Sequence, residues 1–192
     1  MVHSKLLVKL QSFGVSGKLL NWIAAFLAGR SQRVVVEYTF SSWVTVVSGI
    51  PQGSVLGPIL FLLYIDDVTL IYPGSVTFKR FADDLKIYNS CESSLDANNL
   101  QRTLIELQNW CRIWQLHVNL SKTYVLHLGV NNQQETYTFQ GTNIVVAEST
   151  RDLGVEVDSN LTFDQHITTL SPKHPHALGH YLEVFAQETQ FY

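Results

Sequence analysis

Two adjacent aspartates, Asp83 and Asp84, have the clearest chemical potential in this chain. They follow Ala82 in the segment 76–88, whose flanks are aromatic and β-branched and which contains no other acidic residue. This pattern predicts a β-hairpin with both carboxylates at its turn. Like charges this close raise each other's pKa, and a divalent cation relieves the repulsion. Since Mg²⁺ prefers one or two carboxylates plus phosphate oxygens, the hairpin indicates a magnesium site, the alternative being an Asp-rich surface turn.

A second segment, residues 48–54, forms a loop dense in glycine and proline before an apolar run at 55–65. Gly49 and Gly53 would let the backbone approach a ligand closely. Gln52, which follows Pro51, offers both hydrogen-bond donors and an acceptor. The loop therefore indicates a binding segment, and an ordinary helix-entry loop is the alternative.

Two other clusters are not predicted to bind metal. Asp66 and Asp67 end the apolar run and are soon followed by the break Tyr72-Pro73-Gly74, so we expect a helix-end feature there. The histidines of the C-terminal segment are interrupted by a proline and have no cysteine or carboxylate partner in the pattern, which argues against a zinc site. These histidines are His174, His176 and His180.

The composition indicates a globular chain of one domain, or one domain with an appendage. The 192 residues are 46% hydrophobic and 15% charged, which excludes a disordered class. A net charge of -3 argues against a complete nucleic-acid-binding domain, although a fragment of one remains open.

The two cysteines form no CxxC motif, and Lys5 and Lys9 interrupt any signal peptide. The longest apolar run is too short to cross a bilayer, so we expect no membrane association. Without a signal peptide we expect an intracellular chain, and its compartment stays open because the sequence shows no targeting signal.

Hydrophobic periodicity predicts a mixture of helices and strands without strict alternation. This order favours an α+β fold, with an antiparallel sheet covered on one face by helices. The predicted helices are 1–13, 16–29, 55–65, 93–114 and 163–170. The predicted strands are 33–38 and 43–47 around a link at 39–42, the 76–88 hairpin, 117–119, 124–128, 137–139 and 144–146 around 140–143, and 153–157.

Taken in order, these segments resemble the reverse transcriptase of a non-LTR (LINE-type) retrotransposon. Residues 48–58 are similar to the family's loop-and-helix motif, and Phe81-Ala82-Asp83-Asp84 to its catalytic hairpin. The next two family patterns are matched by Trp110, Trp114, Asn119, Lys122 and Thr123, and then by Leu153-Gly154-Val155 with Asp158, Leu161, Phe163 and His166-Ile167. The resemblance implies a partial reverse transcriptase palm at 1–167 and a divergent tail at 168–192.

The resemblance implies an RNA-directed DNA polymerase that adds nucleotides with two Mg²⁺ ions. Asp83 would be a metal ligand, with Asp84 beside it as ligand or support. Lys122 would approach the pyrophosphate as a general acid, the alternative being a solvated turn lysine. The incoming nucleotide and template base would lie along Gly49, Pro51, Gln52 and Gly53. In the parent enzyme the partners would be an RNA template, a DNA primer and deoxynucleotides.

The chain also departs from the family pattern. The family's first metal-binding aspartate would fall before Met1, and the fingers and thumb are largely missing, so we expect the isolated chain to be inactive. One alternative is a non-catalytic palm remnant that binds a partner or nucleic acid, or has no function. Another is a small α+β Mg²⁺-dependent phosphoryl-transfer enzyme using Asp83 and Asp84. The acids in strand contexts that could join such a site are Glu37, Asp152 and Asp158.

Overall fold

The computed structural model describes residues 1–71, 74, 76–129, 132–170 and 189–190 of the chain. Helices and strands mix along the sequence, which confirms the α+β prediction at this level. The chain divides into two compact units, Met1–Val68 with Arg112–Leu116, and Thr69–Cys111 with His117–Tyr192. Within the described ranges, no helix is both long and apolar enough to cross a membrane. The break at 72–73 and the three C-terminal histidines lie outside the described residues.

The first unit contains three α-helices and four short strands. Helix α1 packs against both α2 and α3. Leu6 and Leu10, which are four residues apart and therefore share one face of α1, are fully buried together with Leu27 of α2. The elements are α1 (His3–Ser12), α2 (Gly17–Leu27), β1 (Ser31–Gln32), β2 (Val35–Val36), β3 (Thr39–Phe40), β4 (Val44–Thr45) and α3 (Leu56–Tyr64), followed by a 3₁₀ helix (Asp66–Leu70).

The strands of the first unit form one long, interrupted hairpin, in which β1 pairs with β4 and β2 pairs with β3. Val36 lies opposite Thr39, so the turn is at Glu37 and Tyr38. The prediction of a link at 39–42 was therefore wrong, because residues 39–40 are themselves a strand. Glu37 takes a φ of 54°, and no glycine or asparagine marks this left-handed position in the sequence.

The second unit contains the remaining strands and helices. Its sheets within the described residues are β5 with β6 and β13, β8 with β9, and β11 with β12, all antiparallel, and β7 with β10, which is parallel. The elements are β5 (Thr77–Phe81), β6 (Asp84–Tyr88), α4 (Ser94–Trp114), a 3₁₀ helix (Leu120–Lys122), β7 (Tyr124–Leu126), β8 (Thr138–Phe139), β9 (Thr142–Asn143), β10 (Val145–Ala147), β11 (Ser149–Asp152), β12 (Val155–Asp158), α5 (Asp164–Leu170) and β13 (Thr189–Gln190).

Two turns in the second unit are tighter than the sequence pattern predicted. Gln140-Gly141 and Leu153-Gly154 each join two strands, and all four residues have positive φ, as a type I′ turn requires. Residues 142–143 therefore pair with β8, whereas the predicted partner 144–146 overlaps β10 and pairs with β7. Leu153, predicted to begin a strand, lies in a turn.

The long helix α4 begins where the sequence predicted. Ser93 N donates to Asp96 Oδ2 at 3.0 Å, and Asp96 N donates to Ser93 Oγ at 3.3 Å. This reciprocal arrangement is a capping box, which satisfies backbone donors that have no partner within the helix. Leu100 and Leu107 follow at helical spacing and are buried, so the helix presents its apolar stripe to the core.

Candidate active site

The hairpin predicted for residues 76–88 is present as β5 and β6. Phe81 lies opposite Asp84, so Ala82 and Asp83 form a two-residue turn between the strands. Asp83 is at the tip and Asp84 is the first residue of β6, and both are partly exposed. The structure therefore places the two predicted carboxylates next to each other at one end of a hairpin, with Asp83 partly open to solvent and Asp84 Oδ1 buried.

Ala82, which precedes the two carboxylates, has an unusual backbone conformation. Its φ is 51°, in the left-handed region that favours glycine and costs other residues about 1 kcal/mol or more. A hairpin selected only for stability would carry Asn-Gly or a similar pair at this turn. Strained backbone of this kind is concentrated at functional sites. Glu37, Gln140 and Leu153 have the same positive φ in other turns, so the conformation of Ala82 by itself indicates a tight turn.

Strand β6 is anchored over its next three residues. Leu85, Lys86 and Ile87 are all buried, although successive side chains of a strand point to opposite faces. The strand is therefore covered on both faces directly after Asp84. Lys86 forms an ion pair with Asp152 of β11, which is also buried. Asp152 was one of the acids considered for the metal site, and the structure instead pairs it with a lysine.

Among the residues that the structure describes, the donor set for a cation at this hairpin is the two aspartates. Within the described ranges, no group of three or more Asp, Glu, His or Cys residues could hold a metal ion. Asp158 does not supply a third ligand, because its Oδ1 accepts hydrogen bonds from Asn160 N and Thr162 N at 2.9 and 3.1 Å. Two carboxylates fit Mg²⁺ coordination that is completed by phosphate and water oxygens, but they do not form a closed protein site.

Lys122 belongs to the same unit as the hairpin. It is exposed at the end of a one-turn 3₁₀ helix, whose first turn is capped by the Asn119 side chain accepting from Ser121 N at 3.0 Å. Strand β13 contacts this helix and also pairs with β6, where Gln190 lies opposite Asp84. The arrangement holds the exposed Lys122 on a defined turn.

The glycine- and proline-rich loop belongs to the first unit. Gly49 and Gly53 have φ of 88° and 77°, so both positions require glycine for conformation. Gly49 is fixed on both sides, because its N donates to Met1 O at 2.7 Å and its carbonyl accepts from His3 Nε2 at 2.9 Å. Gln52 is exposed three residues after Gly49, so its side-chain amide is available to a ligand.

Gly57 is a residue of this loop region that sequence reasoning missed. A Cβ at this position would lie 3.0 Å from Ser54 Oγ and 3.2 Å from Pro51 O. Ser54 Oγ donates to Pro51 O at 2.7 Å and accepts from Gly57 N at 3.1 Å. The glycine therefore allows the loop to fold closely onto the start of α3. The sequence signal that Gly57 stands at the start of a helix was Pro58, which directly follows it, since proline is favoured in the first turn of a helix.

The second aspartate pair is a helix-end feature, as predicted. Asp66 and Asp67 begin the 3₁₀ helix that follows α3. Lys9 Nζ lies 2.5 Å from Asp67 Oδ1 and 3.9 Å from the centre of the Trp114 ring. The Lys9 side chain is almost fully buried. Asp67 therefore balances the charge of a buried lysine in the first unit.

Comparisons with known proteins identify the family of this chain. Residues 1–157 match the family of reverse transcriptases (RNA-dependent DNA polymerases). The chain is 31% identical over 176 residues to the RNA-directed DNA polymerase from mobile element jockey of Drosophila funebris, covering 88% of this chain and 19% of that protein. It is 30% identical over 155 residues to the probable RNA-directed DNA polymerase from transposon X-element of Drosophila melanogaster, covering 77% of this chain and 17% of that protein.

A further relative has the same kind of name. The chain is 28% identical over 156 residues to the probable RNA-directed DNA polymerase from transposon BS of Drosophila melanogaster, covering 76% of this chain and 17% of that protein. The chain thus spans less than a fifth of the length of each of these relatives. The match over residues 1–157 spans the hairpin, the loop and Lys122. The chain belongs to the reverse transcriptase family, among the polymerases of LINE-type (non-LTR) mobile elements.

Proposed function

We propose that this chain carries part of the catalytic palm of a reverse transcriptase, the enzyme that copies RNA into DNA during retrotransposition. The observation that carries the proposal is the β5–β6 hairpin, in which a strained two-residue turn places Asp83 at the tip beside Asp84. In this proposal the fingers and thumb are supplied by parts of the polymerase outside these residues. The formal net charge of -3 supports that division, because the basic groups that grip nucleic acid would also lie elsewhere.

Each site residue has a proposed role in nucleotide addition. Asp83 and Asp84 hold divalent metal, with Mg²⁺ as the expected ion. When bound, that ion offsets the negative charge that develops on phosphate oxygens and helps activate the primer 3′-hydroxyl. Lys122, an exposed residue, carries an ammonium that could donate a proton to the departing pyrophosphate.

The loop of the first unit is proposed to bind the nucleotide and the template base. Gly49 and Gly53, on either side of Pro51, have open space where a side chain would stand, and Gln52 can hydrogen-bond through its exposed amide. The proposed substrates are an RNA template, a DNA primer and deoxynucleoside triphosphates. The printed names of the relatives, which are RNA-directed DNA polymerases, support this choice.

A chimeric polymerase tests these roles. Residues 1–157 of this chain replace the matching segment of the jockey polymerase, and primer extension is measured on an RNA template with Mg²⁺. We expect extension in the chimera and its loss to background in Asp83→Asn and in Asp84→Asn. Asp66→Asn is the matched control, because Asp66 also begins an Asp-Asp pair after an apolar segment, and it should retain extension. Extension that persists in Asp83→Asn would contradict the assignment of this hairpin as the metal site.

A second proposal concerns the 192-residue polypeptide by itself, which we propose has no polymerase activity and is a non-catalytic palm unit. The observation that favours it is the donor set, since the described residues contain no group of three metal-binding side chains. Two carboxylates without further protein ligands should bind Mg²⁺ weakly in the absence of nucleotide. Incorporation of labelled nucleotide by the purified chain on a primed RNA template, abolished by Asp83→Ala, would overturn this proposal.

A further inference from the structure

The hairpin of β2 and β3 in the first unit exposes apolar side chains on both of its faces. Val35 and Val36, whose side chains point to opposite faces of β2, are 52% and 65% exposed. Tyr38 in the turn and Phe40 on β3 are 96% and 54% exposed. A two-stranded hairpin is marginally stable by itself, and soluble monomers rarely expose contiguous apolar surface unless it binds a partner. The hairpin is therefore a candidate interaction surface.

The outer edge of β2 is open to a further strand. In the described part of the chain, β2 pairs with β3 alone. Ser41 N donates to Val34 O at 3.0 Å and Val34 N donates to Ser41 Oγ at 2.9 Å, so the backbone groups of Val34 point toward the side of β3. Because hydrogen-bonded pairs alternate along an antiparallel ladder, the N–H and C=O groups of Val35 point to the outer edge. The segment 33–37 also lacks the proline and lysine that commonly protect an edge strand from pairing.

The charges beside this edge are complementary to themselves. Arg33 and Glu37 are the charged residues of segment 31–47, and each lies two positions from Val35. In an antiparallel pairing of two copies centred on Val35, Arg33 of each copy comes opposite Glu37 of the other. A parallel pairing in register would instead place Arg33 against Arg33, and like charges directly opposite are destabilising. The charge pattern therefore favours a second copy of this chain in antiparallel register.

Arg33 is already ordered on the surface where this contact would form. Its Cζ atom lies 4.0 Å from the centre of the Phe40 ring and 4.6 Å from the centre of the Trp43 ring. Stacking uses the face of the guanidinium and leaves its in-plane N–H groups to bind a carboxylate. An ordered side chain also loses less conformational entropy when it pairs. The hairpin thus presents a preorganised cation at one end of the edge.

We propose that two copies of this chain associate through the outer edges of β2, in a continuous antiparallel sheet of order β3-β2-β2-β3 with a two-fold axis at Val35. The Val35 backbone of each copy donates to and accepts from that of the other, and two Arg33–Glu37 ion pairs flank this centre. A two-fold axis requires the same surface on both copies, which the symmetric spacing of the two charges provides. The interface lies in the first unit and does not depend on the function proposed for the Asp83 hairpin.

Analytical ultracentrifugation of the intact 192-residue chain over the micromolar range tests the proposal. We expect a reversible equilibrium between monomer and dimer. Arg33→Glu and Glu37→Arg each place like charges opposite at both ends of the edge, and each should weaken dimerisation about tenfold or more. The double variant restores opposite charges and should recover dimerisation, although it lacks the stacked guanidinium. Lys18→Glu, an equal charge change at an exposed position of α2, is the matched control and should dimerise as the wild type does.

An equimolar mixture of the two single variants tests the register directly. Each contact in a mixed dimer joins a carboxylate of one variant to a guanidinium of the other, so the mixed dimer should exceed both homodimers. Native mass spectrometry separates the three species by mass, and circular dichroism checks that each variant is folded. A wild-type chain that stays monomeric, or a mixture without excess mixed dimer, would overturn the proposal. Association that is lost on nuclease treatment would also overturn it, because nucleic acid would then bridge the copies.

Discussion

Lys86 on β6 and Asp152 on β11 form an ion pair in which both residues are more than nine-tenths buried. Each charge loses several kcal/mol of hydration on burial, and their mutual attraction is the main compensation. The Asp152 oxygens accept no aligned hydrogen bond within the described residues, so this carboxylate depends on the lysine charge. Lys86 lies two positions after Asp84 on the same strand. The pair therefore fixes the strand that presents the proposed metal ligands.

Asp152→Asn should destabilise the second unit strongly. The substitution removes the Asp152 charge from its ion pair with the buried Lys86 ammonium, and breaking one partner of a buried pair costs about 3–5 kcal/mol. Urea unfolding followed by circular dichroism measures the change. The double variant Lys86→Met with Asp152→Leu removes both charges and should unfold within about 1 kcal/mol of the wild-type chain. An Asp152→Asn variant as stable as the wild type would show that the pair carries little energy.

The strained turn beside Asp83 gives a prediction with opposite signs for two substitutions. Ala82→Gly removes the Cβ that makes φ 51° unfavourable and should raise the free energy of unfolding by about 0.5–1 kcal/mol. Ala82→Val places a β-branched residue in the left-handed region and should lower it by about 1–2 kcal/mol. Urea unfolding checks both. Gly141→Ala, at φ 76° in another two-residue turn, is the control and should also destabilise. A loss of stability in Ala82→Gly would contradict the strain.

Hydrophobic periodicity was sufficient for the elements that bury one regular face. The helices α1, α2 and α4 lie where apolar residues recur at helical spacing, and α4 begins next to Ser93, as predicted. The β5–β6 hairpin was also predictable, because its flanks have strong strand propensity. In each case the information is local, so a single sequence contains it.

Contacts between distant segments were not predictable from the pattern. The parallel pairing of β7 with β10 and the Lys86–Asp152 pair join residues far apart in sequence. Asp152 was counted among the acids that could join a metal site because its contact with the distant Lys86 is not visible in the sequence. The turn at Glu37 was missed because a non-glycine residue takes positive φ there. The role of Gly57 was missed because it depends on the approach of Ser54 and Pro51 in three dimensions.

Gly57→Ala should destabilise the first unit even though alanine is the better helix former. Helix propensity favours alanine by up to about 1 kcal/mol, but the new Cβ would lie 3.0 Å from Ser54 Oγ and 3.2 Å from the Pro51 carbonyl. The loop must move, and we expect a net loss of about 1 kcal/mol. Hydrogen exchange of residues 50–57 and urea unfolding measure it. Ser54→Ala combined with Gly57→Ala should cost less than the sum of the two single changes, whereas simple additivity would argue against this contact.

Lys9→Met should lower the free energy of unfolding by about 2 kcal/mol. Methionine keeps the apolar stem but removes the ammonium that lies 2.5 Å from Asp67 Oδ1 and 3.9 Å from the Trp114 ring centre. A desolvated cation–π contact is worth about 2 kcal/mol, and the half-exposed Asp67 adds less. Unfolding followed by tryptophan fluorescence measures the change. Lys18→Met, at an exposed position of α2, is the matched control and should have an effect within about 0.5 kcal/mol of zero.

The hydrogen bonds to Asp158 predict a dependence of stability on pH. Desolvation raises the pKa of this carboxyl, but donors from Thr162, Phe163 and Asn160 outweigh it and hold the pKa below its ordinary value of 3.8. A lowered folded-state pKa stabilises the chain above that ordinary value, and the contribution is lost as pH falls through the folded-state pKa. Asp158→Asn should therefore destabilise the chain at pH 7, and the difference from the wild type should shrink below pH 3.8.

Thr162→Ala, which removes the hydroxyl donor 3.0 Å from Asp158 Oδ2, should give a smaller effect of the same form. Urea unfolding at a series of pH values checks both variants, and a difference that does not change with pH would contradict the assignment.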